Sequence, residues 1–251
     1  MHINSLPDAT RSLLLSISQH CDGIDEFLLI GGTALALQIA HRLSEDLDFA
    51  FPEKKLDRTK IRLITEQLQK LGKVVIYNNP PEAIEDAVNH GIEIEDYHQD
   101  YLVDDVKLTF FAFGDYDLDR ELIRGGLVAS SKLRFVNVAD SQTLFDSKCI
   151  ALTDRIKSRD LYDLWWLTRD GSTCGSTQSI FETIQKYRPS LQYEHVRHRL
   201  LDWKIGATDE SFAPLINHSV TVESIRNDFR AEVNALESRM AAALAAKHDA
   251  E

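Results

Sequence analysis

Apolar and polar positions follow two different periods along the chain, and each period predicts an element type. Residues 27–30, 46–51 and 73–77 are short, mostly apolar runs that predict strands, and the first of them predicts a buried strand. Residues 92–113 predict an antiparallel strand pair that turns near Asp104 and Asp105. Residues 58–71 instead place an apolar residue at every third or fourth position, as an amphipathic helix does. Strands that alternate with helices, followed by a strand pair, predict a mixed β-sheet with flanking helices.

From Asp140 onward the pattern is helical. Residues 140–155 and 159–169 predict two consecutive helices, with Asp140 as the N-cap of the first. We therefore expect an α+β protein, with a sheet domain at residues 1–135 and a helical domain at residues 136–251 that closes a cleft. The last predicted helix, residues 221–247, carries an apolar stripe. That stripe either packs on its own domain or contacts a second copy or a partner protein, and own-domain packing is favoured.

Composition narrows the class of function. The 251 residues are 43% hydrophobic and 27% charged, with a formal net charge of −12, as expected for a soluble globular protein. The acidic balance argues against a broad nucleic-acid-binding surface, because such binding depends on many Lys and Arg contacts to phosphate. Cys21, Cys149 and Cys174 are not spaced as metal ligands are. The sequence shows neither a signal-peptide pattern nor an apolar run long enough to span a bilayer. We expect a cytoplasmic protein with no membrane partner.

The strand at residues 27–30 ends in Gly31 and Gly32, and Thr33 begins the next predicted helix. Small residues let the backbone approach a phosphate, and the amides and dipole of a helix start attract the anion. The hydroxyl of Thr33 would be a further donor. Many strand-to-helix turns use glycine for geometry alone, so the motif by itself slightly favours a purely structural role.

Asp46 and Asp48 are two residues apart on the next predicted strand. Their side chains should therefore project from one face while Leu47 points into the core. Two adjacent carboxylates repel each other, and partial burial increases the cost. One interpretation is a solvated strand edge, and the other is a divalent cation, normally Mg²⁺, that the pair holds together with a triphosphate. The apolar neighbours of Asp48 argue against full solvation, so the sequence favours the two interpretations equally.

The order of these motifs resembles a known family. "GGT" at 31–33, twelve residues and "DLD" at 46–48 resemble the first motif of polymerase-β-type nucleotidyltransferases. More narrowly, residues 31–49 resemble the AbiEii/AbiGii family, which includes toxins of abortive-infection and toxin–antitoxin systems, and the likeness continues at 104–113 and 138–167. The resemblance implies a nucleotidyltransferase-type sheet and Mg²⁺-dependent transfer of a nucleoside monophosphate from an NTP to an acceptor hydroxyl. It also suggests the 3′ end of tRNA as the acceptor and a cognate antitoxin as a partner.

A second set of charged residues lies in the helical region. Lys148 and Arg155 are two turns apart on one helix face, and Asp160 and Asp163 follow at the start of the next helix. A cationic face opposite the acidic strand would complete a clamp for a triphosphate. The resemblance implies that Lys148 and Asp163 belong to the active site. The alternative is a solvated Lys148, with Arg155 and the two aspartates as structural ion pairs.

The predicted site combines these residues. Those expected to be catalytic are Asp46, Asp48, Lys148 and Asp163, with Asp46 and Asp48 holding the metal. Those expected to bind the nucleotide are Gly31, Gly32, Thr33, Arg155 and Asp160.

One position departs from the pattern of active enzymes. In polymerase-β-type enzymes a third carboxylate lies on a later strand, and the matching position here is Thr109. A hydroxyl residue there also resembles one branch of the family. Two functions therefore stay open: a nucleotidyltransferase, or a catalytically inactive module of the same fold that binds an NTP or a protein partner.

Overall fold

The chain folds into two compact units, Met1–Leu144 and Phe145–Glu251. This computed structural model describes residues 1–248 except 156, 170–174, 203, 205, 207–208, 210–211 and 217–218. Cys174 lies outside the described residues, whereas Cys21 and Cys149 are buried free thiols. The domain boundary predicted at 135/136 falls instead inside a hairpin of the first unit, because residues 131–133 pair with residues 136–138. The division lies nine residues further along the chain, between positions 144 and 145.

The first unit is built on a seven-stranded mixed sheet. Its strands are β1 (Leu28–Ile30), β2 (Leu47–Phe51), β3 (Val75–Tyr77), β4 (His98–Val103), β5 (Val106–Ala112), β6 (Ser131–Leu133) and β7 (Val136–Val138). They lie in the order β3-β4-β5-β2-β1-β7-β6. Its central strands β1 and β2 pair antiparallel, while β5 runs parallel to β2 and β7 runs parallel to β1. The α+β class and the mixed sheet predicted from the sequence are confirmed.

Helices surround this sheet within the first unit, and their ends follow local chemistry. The carboxylate of Asp57 caps the helix Arg58–Lys70 by accepting from the amides of Thr59 and Lys60 at 3.0 and 3.1 Å. In the same way Asp140 accepts from the amide of Thr143 at 2.8 Å, as predicted for an N-cap. The helices are α1 (Asp8–His20), α2 (Gly31–Ile39), α3 (Arg58–Lys70), α4 (Pro81–Asn89) and α5 (Asp117–Ala129), and α6 (Ser141–Asp154) contains the division between the units.

Aromatic rings fill the core under the central strands. Phe27 lies 4.9 Å from Phe51 and 5.2 Å from Phe110, measured between ring centroids. Phe110 also stacks on Phe49 at 5.7 Å. These contacts hold β2 against β5 from the core side, which leaves polar residues of the same strands on the opposite face.

The strands β4 and β5 form the predicted antiparallel pair, and their turn sets the register. Asp104 and Asp105 both have positive φ, +46° and +66°, as a two-residue type I′ turn requires. Val103 pairs with Val106, so every further pair lies equally far from the turn on either side.

The second unit is helical, as predicted for this region. Beyond the shared α6 it contains α7 (Ser158–Arg169), α8 (Thr177–Tyr187), α9 (Tyr193–Leu201) and α10 (Val222–His248). The apolar stripe of α10 packs on α7, α8 and α9 through Ile225, Phe229 and Val233, which are fully buried. Own-domain packing is thus confirmed for this part, whereas Met240 and Leu244 near the end of the stripe are 50% and 67% exposed.

No helix in the described part of the chain is both long enough and apolar enough to cross a membrane.

Candidate functional site

The glycine turn after β1 is packed directly against the acidic strand. Gly31 has φ +75°, a backbone conformation that side-chain-bearing residues rarely adopt. A Cβ atom added at Gly31 would lie 2.6 Å from Oδ2 of Asp48, which is closer than real Cβ contacts. Glycine is therefore required here both for the backbone angle and for the approach of the turn to the carboxylate.

The second glycine of the turn accommodates an arginine that the sequence analysis did not single out. A Cβ at Gly32 would lie 2.5 Å from Nη2 of Arg42 and 2.8 Å from Oγ of Ser44. The Arg42 side chain is buried, and its Nη1 donates to the carbonyl of Leu43 at 2.9 Å. A buried guanidinium thus lies against the backbone of the turn, and no residue pattern in the sequence indicates such a loop conformation.

Helix α2 begins at Gly31, two residues earlier than predicted, so both glycines belong to its first turn. The amides of a first helical turn have no acceptor within the helix, and the N-cap residue of this helix, Ile30, has no side-chain acceptor to offer them. Thr33 is fully buried, and its hydroxyl donates to the backbone carbonyl of Asp46. Because that bond uses its only proton, the Thr33 hydroxyl is not a phosphate donor in this conformation. The donors that the turn offers to an anion are its backbone amides.

Asp46 and Asp48 are both partly exposed, whereas Leu47 between them is fully buried. Strand β2 begins at Leu47, so Asp46 immediately precedes it rather than opening it as predicted. No cluster of three or more potential metal-ligating His, Cys, Asp or Glu side chains occurs among the described residues. Two carboxylates beside a glycine turn fit a hard cation such as Mg²⁺, which takes few protein ligands and completes its shell with water and phosphate oxygens.

The position predicted to replace a third carboxylate lies next to another carboxylate. Thr109 on β5 pairs with Asp48 on β2 and, on its other side, with Asp100 on β4. The Thr109 hydroxyl donates to Oδ1 of Asp100 at 2.7 Å. Asp100 was not among the predicted site residues because it lies on β4, whereas the expected carboxylate position is on β5. Positions 100 and 109 are equally far from the turn at 104–105, and this symmetry would have placed them opposite each other.

Asp100 is buried and accepts from three side chains. In addition to Thr109, Nε2 of His98 lies 3.0 Å from Oδ1, and Nζ of Lys107 lies 2.9 Å from Oδ2. Burial raises the pKa of Asp100, but the hydrogen bonds from His98, Thr109 and Lys107 outweigh it and hold the pKa well below the ordinary aspartate range. Asp100 is therefore a carboxylate anion at neutral pH.

The charged residues of the second unit form a separate buried cluster. Nζ of Lys148 lies 2.6 Å from Oδ1 of Asp160 and 2.7 Å from Oδ2 of Asp163, and all three side chains are less than 10% exposed. The interpretation of Lys148 as a solvated lysine is therefore wrong. Arg155 lies at the edge of the cluster, with Nε 3.3 Å from Oδ2 of Asp160 and a side chain that is 58% exposed.

Electrostatics keep this cluster charged. Burial raises the pKa of Asp160, but the positive charges of Lys148 and Arg155 outweigh it and lower the pKa below the ordinary value. The predicted site residues thus lie together in two groups, each within its own unit. The first group is Gly31, Gly32, Thr33, Asp46 and Asp48, and the second is Lys148, Arg155, Asp160 and Asp163.

The first unit thus combines a mixed sheet with a glycine turn that packs against an aspartate strand, and a helical unit follows it. The family model described as "Nucleotidyl transferase AbiEii toxin, Type IV TA system" matches residues 13–248. The chain belongs to this family, which confirms the resemblance seen in the sequence.

Two similar proteins add to this comparison. The uncharacterized protein aq_aa25 of Aquifex aeolicus (strain VF5) is 29% identical over 147 residues, which cover 58% of this chain and 59% of the Aquifex protein. The chain therefore spans about three fifths of the length of that relative. The crystal structure of a "putative nucleotidyltransferase from H. pylori" has 18% identity and a TM-score of 0.48, covering 91% of this chain and 92% of the other.

Proposed function

We propose that this protein is an Mg²⁺-dependent nucleotidyltransferase that moves a nucleoside monophosphate from an NTP to an acceptor hydroxyl. The observation that carries the proposal is the contact between Gly31 and Asp48. It brings the amides of a helix start, which favour phosphate, to a carboxylate that favours a cation. In a metal–triphosphate complex a cation lies beside phosphate anions, so a carboxylate next to the amides of a helix start can bind both parts of it.

The residues of the first unit have distinct roles in this proposal. Asp46 and Asp48 would hold Mg²⁺, whose chemistry when bound is to neutralise phosphate charge and polarise the reacting phosphoryl group. The backbone amides of Gly31, Gly32 and Thr33 would bind phosphate oxygens. Positioning and charge neutralisation supply most of the catalysis in phosphoryl transfer, so such a site requires few further groups.

The cluster of the second unit would act through its cations. Lys148 and Asp163 are assigned to the active site by the resemblance, and the ion pair between them at 2.7 Å fixes the position of the ammonium. The partly exposed Arg155 would contribute positive charge toward the triphosphate, and Asp160 holds both cations through contacts at 2.6 and 3.3 Å. Asp163, fully buried, would position Lys148 rather than contact the substrate.

Family membership suggests the biological setting. As a member of a toxin family of type IV toxin–antitoxin systems, the protein would have an antitoxin as its partner. We propose the 3′ end of tRNA as the acceptor. A compact contact suits the net charge of −12 better than a long RNA footprint.

The test is transfer itself. Purified protein is incubated with Mg²⁺, each labelled NTP in turn and total bacterial tRNA, beside Asp48→Asn and the matched control Asp104→Asn. Asp104 is an aspartate of the β4–β5 turn that accepts from the amide of Val74 at 2.8 Å. We expect labelled tRNA with the wild type and with Asp104→Asn. With Asp48→Asn we expect labelling to fall about 10²- to 10³-fold, the usual loss for one electrostatic contact in a transition state.

Two results would contradict the proposal. Mg²⁺-dependent NTP binding without labelling of any tRNA or added nucleotide acceptor would favour the inactive nucleotide-binding module. Equal labelling by Asp48→Asn and the wild type would remove Asp48 from the site.

A further inference from the structure

The polar face of the sheet carries a row of functional groups across three adjacent strands. Asp48 on β2, Thr109 on β5 and Asp100 on β4 are paired in register, so their side chains project from the same face. Adjacent strands are about 4.8 Å apart, which places the Asp100 backbone about 10 Å from that of Asp48, with Thr109 between them. A carboxylate is therefore present near the expected third position, but one strand further away.

The hydrogen bond between Thr109 and Asp100 has only one possible direction. A carboxylate anion accepts hydrogen bonds and has no proton to donate, so the proton in the 2.7 Å bond belongs to Thr109. With its proton held by Asp100, the Thr109 oxygen can act toward any third group only as an acceptor. A bond to a charged acceptor also increases electron density on the hydroxyl oxygen. The hydroxyl thus takes on the acceptor-only property of a carboxylate oxygen.

The arrangement is more elaborate than packing requires. Thr109 and Asp100 are 4% and 3% exposed, and a buried carboxylate is costly unless several donors satisfy it. Here His98 and Lys107 supply two of those donors. The side-chain amide of Asn79 in turn donates to the backbone carbonyl of His98 at 3.0 Å. Apolar side chains of similar volume commonly give equal or greater stability than buried charges. Stability alone therefore does not explain a charged cluster in register with Asp48.

We infer that Asp100 and Thr109 together take the place of the third carboxylate of the site. Thr109 presents its oxygen as an acceptor beside Asp48 at the cation site. Asp100 is a positioning residue, which fixes the Thr109 hydroxyl and supplies the third negative charge from the neighbouring strand. This inference rests on the proposed function, since it assigns residues to the same site.

The first measurement is the affinity for Mn²⁺ alone, by electron paramagnetic resonance, without nucleotide. Asp100→Asn keeps the shape of the side chain and removes its charge, and Thr109→Val keeps the shape and removes the hydroxyl. Loss of a residue that orients a metal ligand typically costs about 10- to 100-fold in metal affinity. We expect a loss of that size in each variant, whereas the turn variant Asp104→Asn should bind like the wild type.

The second measurement is a rescue that a purely structural role would not give. The double variant Asp100→Asn/Thr109→Asp moves the carboxylate from β4 to β5, one strand closer to Asp48. His98 and Lys107 still lose their carboxylate partner at position 100. We expect Mn²⁺ affinity and labelling of tRNA to return to within about threefold of wild type. Thermal unfolding of each variant checks folding; if Asp100→Asn does not fold, Thr109→Val and the double variant decide.

The outcomes separate this inference from the proposed function. If the wild type labels tRNA and Asp100→Asn binds Mn²⁺ and labels equally well, the inference is overturned and the transferase stands. If the wild type binds Mn²⁺ but transfers nothing, the transferase is overturned. In that case lower Mn²⁺ affinity in Asp100→Asn, restored in the double variant, still supports the inference. If the wild type binds neither Mn²⁺ nor NTP, both are overturned.

Discussion

The two groups of charged residues differ in how the protein treats their charge. The carboxylates of Asp46 and Asp48 in the first unit are partly exposed beside a glycine turn. Lys148, Asp160 and Asp163 in the second unit are buried and joined by contacts of 2.6 and 2.7 Å. The first group is therefore accessible to a ligand, whereas the second is stabilised mainly by its own ion pairs. The largest effect on ligand binding is therefore expected from substitutions in the first group, and the largest effect on stability from substitutions in the second.

The largest expected effect on stability is in the second unit. Lys148→Met leaves two buried carboxylates without their ammonium partner, and breaking a buried ion pair from one side costs about 3–5 kcal/mol. We expect the free energy of unfolding, measured in urea, to fall by that amount. Asp48→Asn, at a partly exposed position, should stay within about 0.5 kcal/mol of wild type. A larger loss of unfolding free energy in Asp48→Asn than in Lys148→Met would contradict this difference between the two groups.

An intermediate effect is expected at the glycine turn. Gly31→Ala forces a Cβ into positive φ and against the Asp48 carboxylate, and the backbone conformation alone costs roughly 1–3 kcal/mol. Gly72→Ala is a matched control, because Gly72 has φ +82° and a Cβ there would have no neighbour within 4 Å. Both variants should lose stability by urea unfolding, but only Gly31→Ala should lose Mg²⁺-dependent NTP binding by calorimetry. Equal NTP binding by the two variants would show that the glycine turn is not part of the nucleotide-binding site.

A smaller effect should appear in acid. The pKa of Asp160 is lower in the folded protein than the unfolded value of about 3.9. The unfolded chain therefore takes up this proton first as the pH falls, and the stabilisation present above about pH 4 is lost as the pH approaches the folded pKa. Between pH 6 and pH 3 the unfolding free energy of the wild type should decrease more steeply than that of Asp160→Asn. Parallel curves would show that Asp160 is not held in its charged form.

The smallest effect on stability is expected at Arg155. Its side chain is 58% exposed and contacts Asp160 at 3.3 Å, and exposed ion pairs contribute about 0–1 kcal/mol. Arg155→Ala should leave the urea midpoint almost unchanged and raise the KM for NTP in the labelling assay. A large loss of stability with an unchanged KM would make Arg155 a structural residue only.

The fold and the first-unit motif could be predicted because they depend on local sequence. Apolar runs set the strands, and Asp140 caps its helix as expected. The register of β4 and β5 can also be predicted from the sequence, since the two-residue turn at 104–105 fixes which residues pair. Asp100 was missed because its role depends on the neighbouring strand rather than on its own.

Other features depend on packing that no short segment encodes. Lys148 is buried and contacts Asp160 and Asp163 of α7, and its sequence neighbours do not distinguish it from a solvated lysine. The position of Arg42 against Gly32 depends on the conformation of the loop before β2. The use of the Thr33 hydroxyl by the Asp46 carbonyl likewise requires the two elements to be packed together.

The strand connections of the first unit also have a consequence for how the chain folds. Strand β1 pairs with β2 less than 25 residues away, and the glycine turn and Asp48 lie within this local segment. By contrast, β1 pairs with β7 only across more than 100 residues, through Leu28 with Asn137 and Leu29 with Val138. Contacts between distant segments form later, because a longer loop must be closed first. Pulse-labelled hydrogen exchange should therefore protect the amides of β2 before those of β7, so that the acidic segment is assembled before the sheet around it is complete.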